Sequence, residues 1–524
     1  MRVGRRRFFE GAAGGALVAC TPPRHPAAPP VRIEDVLGAA LDSAKRAGAV
    51  YADARVVRRR DQNVGTREDH VAYVSDDESY GVGVRVLLVQ AGSGGATQSW
   101  GFAASMHVGE ESASRAAERA VAIARADAGP RKRPIVLAPV ARYREHWATP
   151  LAVDPFEVPI VEKVALLRAI WADARVVKGV KYMDGRTRIL REEKTFASTE
   201  GSLIDQRIVR VEAAYTLTAT DDSGDAVTRA HELPPMQAGW EHVSRSSFQR
   251  DARKMGEDAV EKLRAPRLAT GKRDLVLAPS NLWLVIHESI GHSTELDRAL
   301  GYEANFAGTS FATPDQIGKL EIARDTLTFF ADKTTPGGLA TCGWDDDGEK
   351  TQKWNLVDKG KLAAFQTTRD QAAWIGEKRS RGCSYAEDWR AVPFQRMPNV
   401  SLAPAERDVS IDDLVAGVDD GVLITGDGSW SIDHQRYNFQ FGGQMFHAIR
   451  SGKIAGALRD VAYQSNTIDF WHACDAIGGA RHFALHGTLV DGKGEPQQSN
   501  PVSHGCPPAR FRGVRVLDTR EEKS

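Results

Sequence analysis

The chain has 524 residues, 42% of them hydrophobic and 26% charged, the profile of a soluble protein with room for two to four domains. Sixty-nine Lys and Arg balance sixty-nine Asp and Glu, so no net field draws the molecule to nucleic acid or to an anionic membrane surface. Besides Cys20, the cysteines are Cys342, Cys383, Cys474 and Cys506; none forms a C-x-x-C pair, which excludes a zinc ribbon.

Residues 1–30 read as an export segment. Arg5-Arg6-x-Phe8-Phe9 has the layout of a twin-arginine signal, and the small apolar run ends in Leu17-Val18-Ala19-Cys20, the layout of a lipobox. On that reading Cys20 carries a lipid, and "PPRHPAAPP" is a stiff tether; on the competing reading the segment is a plain signal peptide and Cys20 is incidental. The run is too short to cross a bilayer. The lipid anchor is therefore the expected membrane contact, and the mature chain is expected outside the cytoplasm.

Residues 31–265 follow as an expected α+β region. "IEDVLGAALDSAKRAGA" has helical spacing, "YGVGVRVLLVQ" alternates as a strand, and "AGSGGA" followed by "SWGFAAS" suggests a hairpin. "ESASRAAERAVAIARAD" is an alanine-rich amphipathic helix, and a second helix is expected over Val161–Val176. Strands are expected around a Glu200-Gly201 turn. The basic cluster Arg131–Arg133 reads as a solvated linker.

Residues 266–524 form a second, strand-rich half. In "RDLVLAPSNLWLVIHESIGH" a short strand is expected to stop at Pro279, with Ser280 capping a helix that carries two histidines. "GVLITGDGSW" and "HFALHGTLVDGKG" are strand-like. "WDDDGE", Asp345 to Asp347, lacks the ligand spacing of a calcium loop and reads as a turn.

The chemistry concentrates in "HESIGHSTELD", His287 to Asp297. His287 and His292 are five apart; on a regular α-helix that leaves their side chains about 140° apart, too far to share an ion. A π-turn brings i and i+5 to one face, and Gly291 is a position where such distortion costs little. The spacing thus demands a locally distorted helix if a metal is bound; otherwise the two are ordinary locally bonded histidines. With a metal, Glu288 is the natural general base, and Glu295 and Asp297 could steady the imidazoles from behind.

"HESIGHSTELDRALGYEANFAG" resembles the signature of the TldD/PmbA metallopeptidases, in their active, TldD-like branch. "YGVGVRVL" with "WGFAAS", "FASTEG", "CGWDDDGE", "FQRMPN" and "GKGEPQQSNPVSHGCPPARFRGVRVL" also look like family blocks, in family order. The resemblance implies a two-part α+β chain with a C-terminal zinc site. It further implies dimers, with the chain itself or with a paralogue, that enclose a chamber and cleave unfolded or flexible peptides gripped by strand addition. Carried over by residue, His287 and His292 are metal ligands and Glu288 the base. The family has a cysteine directly before Gly-Lys-Gly, where this chain has Asp491. Two histidines and a carboxylate make a good hydrolytic zinc set, and an oxygen ligand makes Mn2+ or Fe2+ acceptable too. The alternatives are that Cys506 ligates instead, or that the site is degraded and the chain is a silent peptide-binding or partner subunit. His504 reads either as an oxyanion donor or as a turn histidine.

Overall fold

The computed structural model describes residues 31–92, 95–127 and 133–520. The expected signal, Cys20, the tether, the tip of the glycine-rich turn and all of the basic cluster except Arg133 lie outside them. Among the described residues no helix is long and apolar enough to cross a membrane.

The first part is a seven-stranded sheet in the order β3-β2-β1-β5-β6-β4, with β7 beside β6: β1 Tyr51–Arg67, β2 His70–Gly92, β3 Gly95–Ser105, β4 Arg144–Ala148, β5 Val180–Ser198, β6 Leu203–Thr220 and β7 Ala226–Met236. The helices α1 (Ile33–Arg46) and α2 (Glu110–Ala126) cover one end, packing Val36, Leu37, Ala117 and Ala120 on Ala52, Ala54, Val56, Val84 and Val86. The helices α3 (Ile160–Ala174) and α4 (Ala252–Arg264) cover the other end, over Met183, Ile189 and Leu217. The alternation along β1 is strict: Ala52, Ala54 and Val56 face the helices, and Asp53 and Arg55 point to the opposite face.

That opposite face is buried too, against the second part of the chain. Arg85 joins Asp53 and Asp347 at 2.7 Å each, Lys194 meets Asp346 at 2.9 Å, and Arg369 grips Glu200, in the β5–β6 turn, at 2.8 Å. The Asp345–Asp347 segment is a turn, as expected, but a fully buried one whose Asp346 and Asp347 carboxylates seal the two parts together.

The second part is built on a nine-stranded sheet. In its middle, β8 (Gly271–Leu277) pairs parallel with β9 (Asp420–Thr425) and antiparallel with the last strand, Ala509–Asp518. At one edge lies the hairpin β10 (Trp430–Ile432) and β11 (Asn438–Phe441). A separate two-stranded ribbon, β12 (Ala484–Lys493) and β13 (Gln498–Cys506), packs against the helix Pro279–Ile286 and the short strand Val400–Leu402.

After β8 the chain enters α5, Pro279–Ile286. Pro279 starts this helix and does not merely stop the strand, because its fixed φ and missing N–H suit the first helical position. Ser280 is not the cap. It lies in the first turn, where its Oγ accepts the Gly426 N–H at 2.9 Å and so ties the helix to β9. Every side chain from Leu282 to Ile286 is buried, which makes α5 a central core helix.

A candidate metal centre

The helix α5 runs directly into a π-turn, His287–Gly291, whose wider winding is closed by the His292 N–H on the His287 carbonyl. Three hydroxyls tighten this turn onto its own carbonyls: Ser289 onto Val285, Ser293 onto Ser289 and Thr294 onto Ile290. Gly291 is required here, since a Cβ would come within 2.6 Å of the Met397 Sδ. The winding brings the His287 and His292 rings to 4.6 Å between centroids.

The third group comes from the ribbon. Between Thr488 and Asp491 the pairing of β12 with β13 slips by one residue. This bulge puts Val490 in solvent and returns Asp491 to the interior. Asp491 Oδ1 then lies 3.8 Å from His287 Nε2 and 3.6 Å from His292 Nε2. For a tetrahedral site with ligand bonds near 2 Å, neighbouring donor atoms should stand about 3.4 Å apart; these two edges are close to that, and all three donors lie within 4.8 Å of one another.

What lies behind each ligand decides which atom faces forward. The Val400 carbonyl can only accept, so His504 Nδ1 donates to it (2.9 Å); His504 Nε2 must then accept from His287 Nδ1 (2.8 Å), which leaves the His287 Nε2 lone pair free. His292 Nδ1 donates to Glu295 Oε2 at 3.1 Å, which frees its Nε2 in the same way. Arg396 holds the backbone carbonyl and Oδ2 of Asp491, leaving Oδ1 turned to the histidines. Burial, reinforced by Arg436, pushes the His287 pKa down to about 3, and burial drives His292 and His504 well below the usual histidine range. Two unprotonated imidazole lone pairs therefore converge with one oxygen of Asp491, whose carboxyl burial pushes above its usual range against the pull of Arg396. That arrangement repels itself unless a cation sits among them, and the donor set suits Zn2+, with Mn2+ or Fe2+ also chemically acceptable.

Glu288 is buried beside this triangle. Burial pushes its carboxyl up to about 7 against the opposing pull of Arg436, which donates to Oε2; among the described residues Oε1 makes no hydrogen bond. Burial likewise raises Glu295, but the Lys493 ammonium and the Arg298 guanidinium outweigh it and hold that carboxyl well below its usual range. Asp297 accepts from Lys493 at 2.8 Å. Glu295 is thus a buried support of His292, while Asp297, nearly buried, holds Lys493 and touches neither imidazole.

Two alternatives fail on position. Cys506 is turned to the Pro279 carbonyl, at the far end of α5 from the π-turn, and stands outside the His287–His292–Asp491 cluster. His504 has both ring nitrogens engaged and no exposed surface, so it has no N–H to offer an oxyanion; it orients His287. Sequence reasoning missed the cations Arg298, Arg396, Arg436 and Lys493. Arg436 and Arg396 arrive from segments more than a hundred residues after His292, and no spacing marks them.

Three family models cover most of the chain: the PmbA/TldA metallopeptidase domain 1 matches residues 52–124, the central domain 153–265 and the C-terminal domain 270–518. A protein of Methanothermobacter thermautotrophicus named Metalloprotease is 27% identical over 90% of this chain and 96% of its own length. A Zinc metalloprotease TldD homolog of Saccharolobus solfataricus is 23% identical over 49% of this chain and 54% of its own length. The crystal structure of TldE from Thermococcus kodakarensis superposes with a TM-score of 0.70 at 16% identity, covering 91% of this chain and 98% of TldE. The chain belongs to the PmbA/TldD family of metallopeptidases.

Proposed function

We propose that the chain is a metal-dependent peptidase acting on unfolded or flexible peptides, with His287, His292 and Asp491 as metal ligands and Glu288 as general base. The observation that carries this reading is the convergence of two free imidazole lone pairs and one oxygen of Asp491 beside a carboxylate with one oxygen unengaged. A bound Zn2+, or Mn2+ or Fe2+, supplies positive charge that acidifies water and polarises a carbonyl. Glu288 Oε1 takes a proton from the attacking water as the new C–O bond forms and the carbonyl π electrons move onto oxygen. When the C–N bond breaks, Glu288 returns that proton to the departing amine, so the residue ends as it began.

The ribbon that carries Asp491 supports the peptide reading. Among the described residues, β12 and β13 pair only with each other; Glu387, Asn399 and Ser401 occupy N–H groups along β13, which leaves β12 as the edge for an extended backbone. Its turn, Gly494–Gln498, lines a cavity of about 980 Å3 that reaches Asp297, Tyr302 and Phe306. The mature chain works outside the cytoplasm, tethered by a lipid on Cys20, as a dimer with itself or a paralogue. This localisation rests on the Arg5-Arg6 and lipobox residues, and it requires that Cys20→Ala abolish incorporation of labelled palmitate by cells expressing the full chain.

The deciding experiment is the metal content of the purified chain together with cleavage of labelled β-casein, for wild type, Asp491→Ala and Asp491→Cys. About one metal per chain and cleavage in wild type, both lost in Asp491→Ala, are the expected results. A metal-free, inactive wild type, with metal bound only by Asp491→Cys, would establish instead a silent subunit with a degraded site.

A further inference from the structure

The geometry points to Arg436 as a catalytic residue that binds the carbonyl oxygen of the scissile bond and the negative charge that grows on it. This inference rests on the peptidase reading above.

Arg436 sits at the tip of the β10–β11 hairpin with φ +62°, a backbone region that residues other than glycine rarely occupy. The tip is fixed on every side. The Asp433 carboxylate accepts from the Tyr437 and Asn438 N–H groups at 2.8 and 3.0 Å, and the Arg436 carbonyl accepts from the Thr467 hydroxyl at 2.9 Å. The His434 and Gln435 carbonyls accept from Thr309 and Phe311, on the loop that follows the metal-centre helix. A non-glycine residue held at positive φ by this many contacts is an imposed placement.

The side chain reaches from that tip to Glu288. One Nη donates to Glu288 Oε2 and the other to the Ala307 carbonyl at 3.0 Å, while the Nε–H is buried with no acceptor. The other cations of the site lie behind it: Arg298 on Glu295, Lys493 on Asp297 and Arg396 on the outer oxygen of Asp491. Arg436 alone among these four contacts the acid assigned to the water.

Water that loses its proton to Glu288 must lie within hydrogen-bond reach of it, and the attacked carbonyl lies about 3 Å further on. A guanidinium that grips the same carboxylate, with a donor to spare, is within reach of that carbonyl oxygen. Negative charge develops there only on the way to the tetrahedral state, so the contact strengthens in the transition state and acts on kcat more than on KM.

The test compares wild type, Arg436→Ala and Arg436→Lys. It measures kcat and KM on labelled β-casein, metal content, thermal midpoint, and affinity for a phosphinic pseudopeptide whose PO2− group mimics the tetrahedral state. For Arg436→Ala we expect kcat to fall about 100- to 1,000-fold, with KM and metal content within about threefold of wild type. Phosphinic affinity should fall by the same factor as kcat/KM, and Arg436→Lys should recover part of both. A kcat within threefold of wild type overturns the inference. So does a loss confined to KM, and so does a fall in kcat with phosphinic affinity unchanged, which would make Arg436 a positioning residue for Glu288. A variant that loses metal or melts early is judged by Arg436→Lys, which keeps the charge: wild-type phosphinic affinity there with reduced kcat also overturns it. A wild type that binds metal but cleaves nothing overturns the peptidase reading and this inference together; an active wild type beside an equally active Arg436→Ala overturns this inference alone.

Discussion

Each imidazole of the candidate metal centre has one nitrogen tied down behind it and the other turned inward, and the tie differs between the two. His292 leans on a carboxylate, Glu295, while His287 leans on a second histidine whose orientation is set by a backbone carbonyl. Replacing His504 by Phe keeps the bulk and the stack on Trp283 but removes the acceptor for His287 Nδ1–H. Metal affinity should then drop about 10- to 100-fold, measurable by competition with a chromogenic chelator, while the thermal midpoint of the metal-free protein changes little. The histidines and Glu288 were legible in the sequence because a fixed spacing states a geometric demand. Asp491 was legible only through its place before Gly-Lys-Gly. The buried cations were not legible at all, since an arginine about 150 positions away looks the same whether it is solvated or locked onto a carboxylate.

At the scale of elements, two small irregularities make the site: a π-turn in a helix and a one-residue bulge in a ribbon. The first was anticipated from the i, i+5 spacing and the adjacent Gly291. The second was not, because a bulge leaves no periodic trace in ten residues of strand. Deleting Val490 would remove the extra residue and with it the local kink that aims Asp491 at the histidines. The deletion variant should stay folded by circular dichroism and lose its metal. In the π-turn, Gly291→Ala would drive a Cβ against Met397, which is itself in the core. A destabilisation of about 1–3 kcal/mol is expected, read from urea unfolding, and Met397→Ala in the same chain should relieve the clash part of the cost. If the double variant is as unstable as the sum of the single ones, the contact is not the cause. The Ser280 cap was misread for a related reason: Pro279 already fulfils the start of the helix, so the hydroxyl was free to bind another strand.

At the scale of the whole molecule, the α+β class and most of the N-terminal helices follow from hydrophobic spacing, and α1, α2 and α3 lie within a few residues of their expected positions. The charged face of the first sheet did not follow. Asp53, Arg55, Arg85 and Lys194 have the alternation of a solvated strand face, and only the three-dimensional structure shows them covered by the second part. Removing one partner from such a pair leaves a charge buried alone. Asp346→Ala, which leaves the Lys194 ammonium without a counter-charge, held only by the Ala386 carbonyl and the face of the Tyr385 ring, should cost about 3–5 kcal/mol. Denaturant unfolding of the metal-free protein measures this, and a loss below 1 kcal/mol would mean that water reaches the lysine.

These pairs also set a timetable. Lys194 leaves the ribosome 152 residues before Asp346, and at about 5–20 residues per second that is a gap of roughly 8–30 s. Throughout it the first sheet can lay its helices over its apolar face, but its charged face has nothing to close against and stays wet. The nascent chain therefore waits half-sealed, with its long strands open to chaperones, proteases and neighbouring chains, until the acidic turn arrives to complete it.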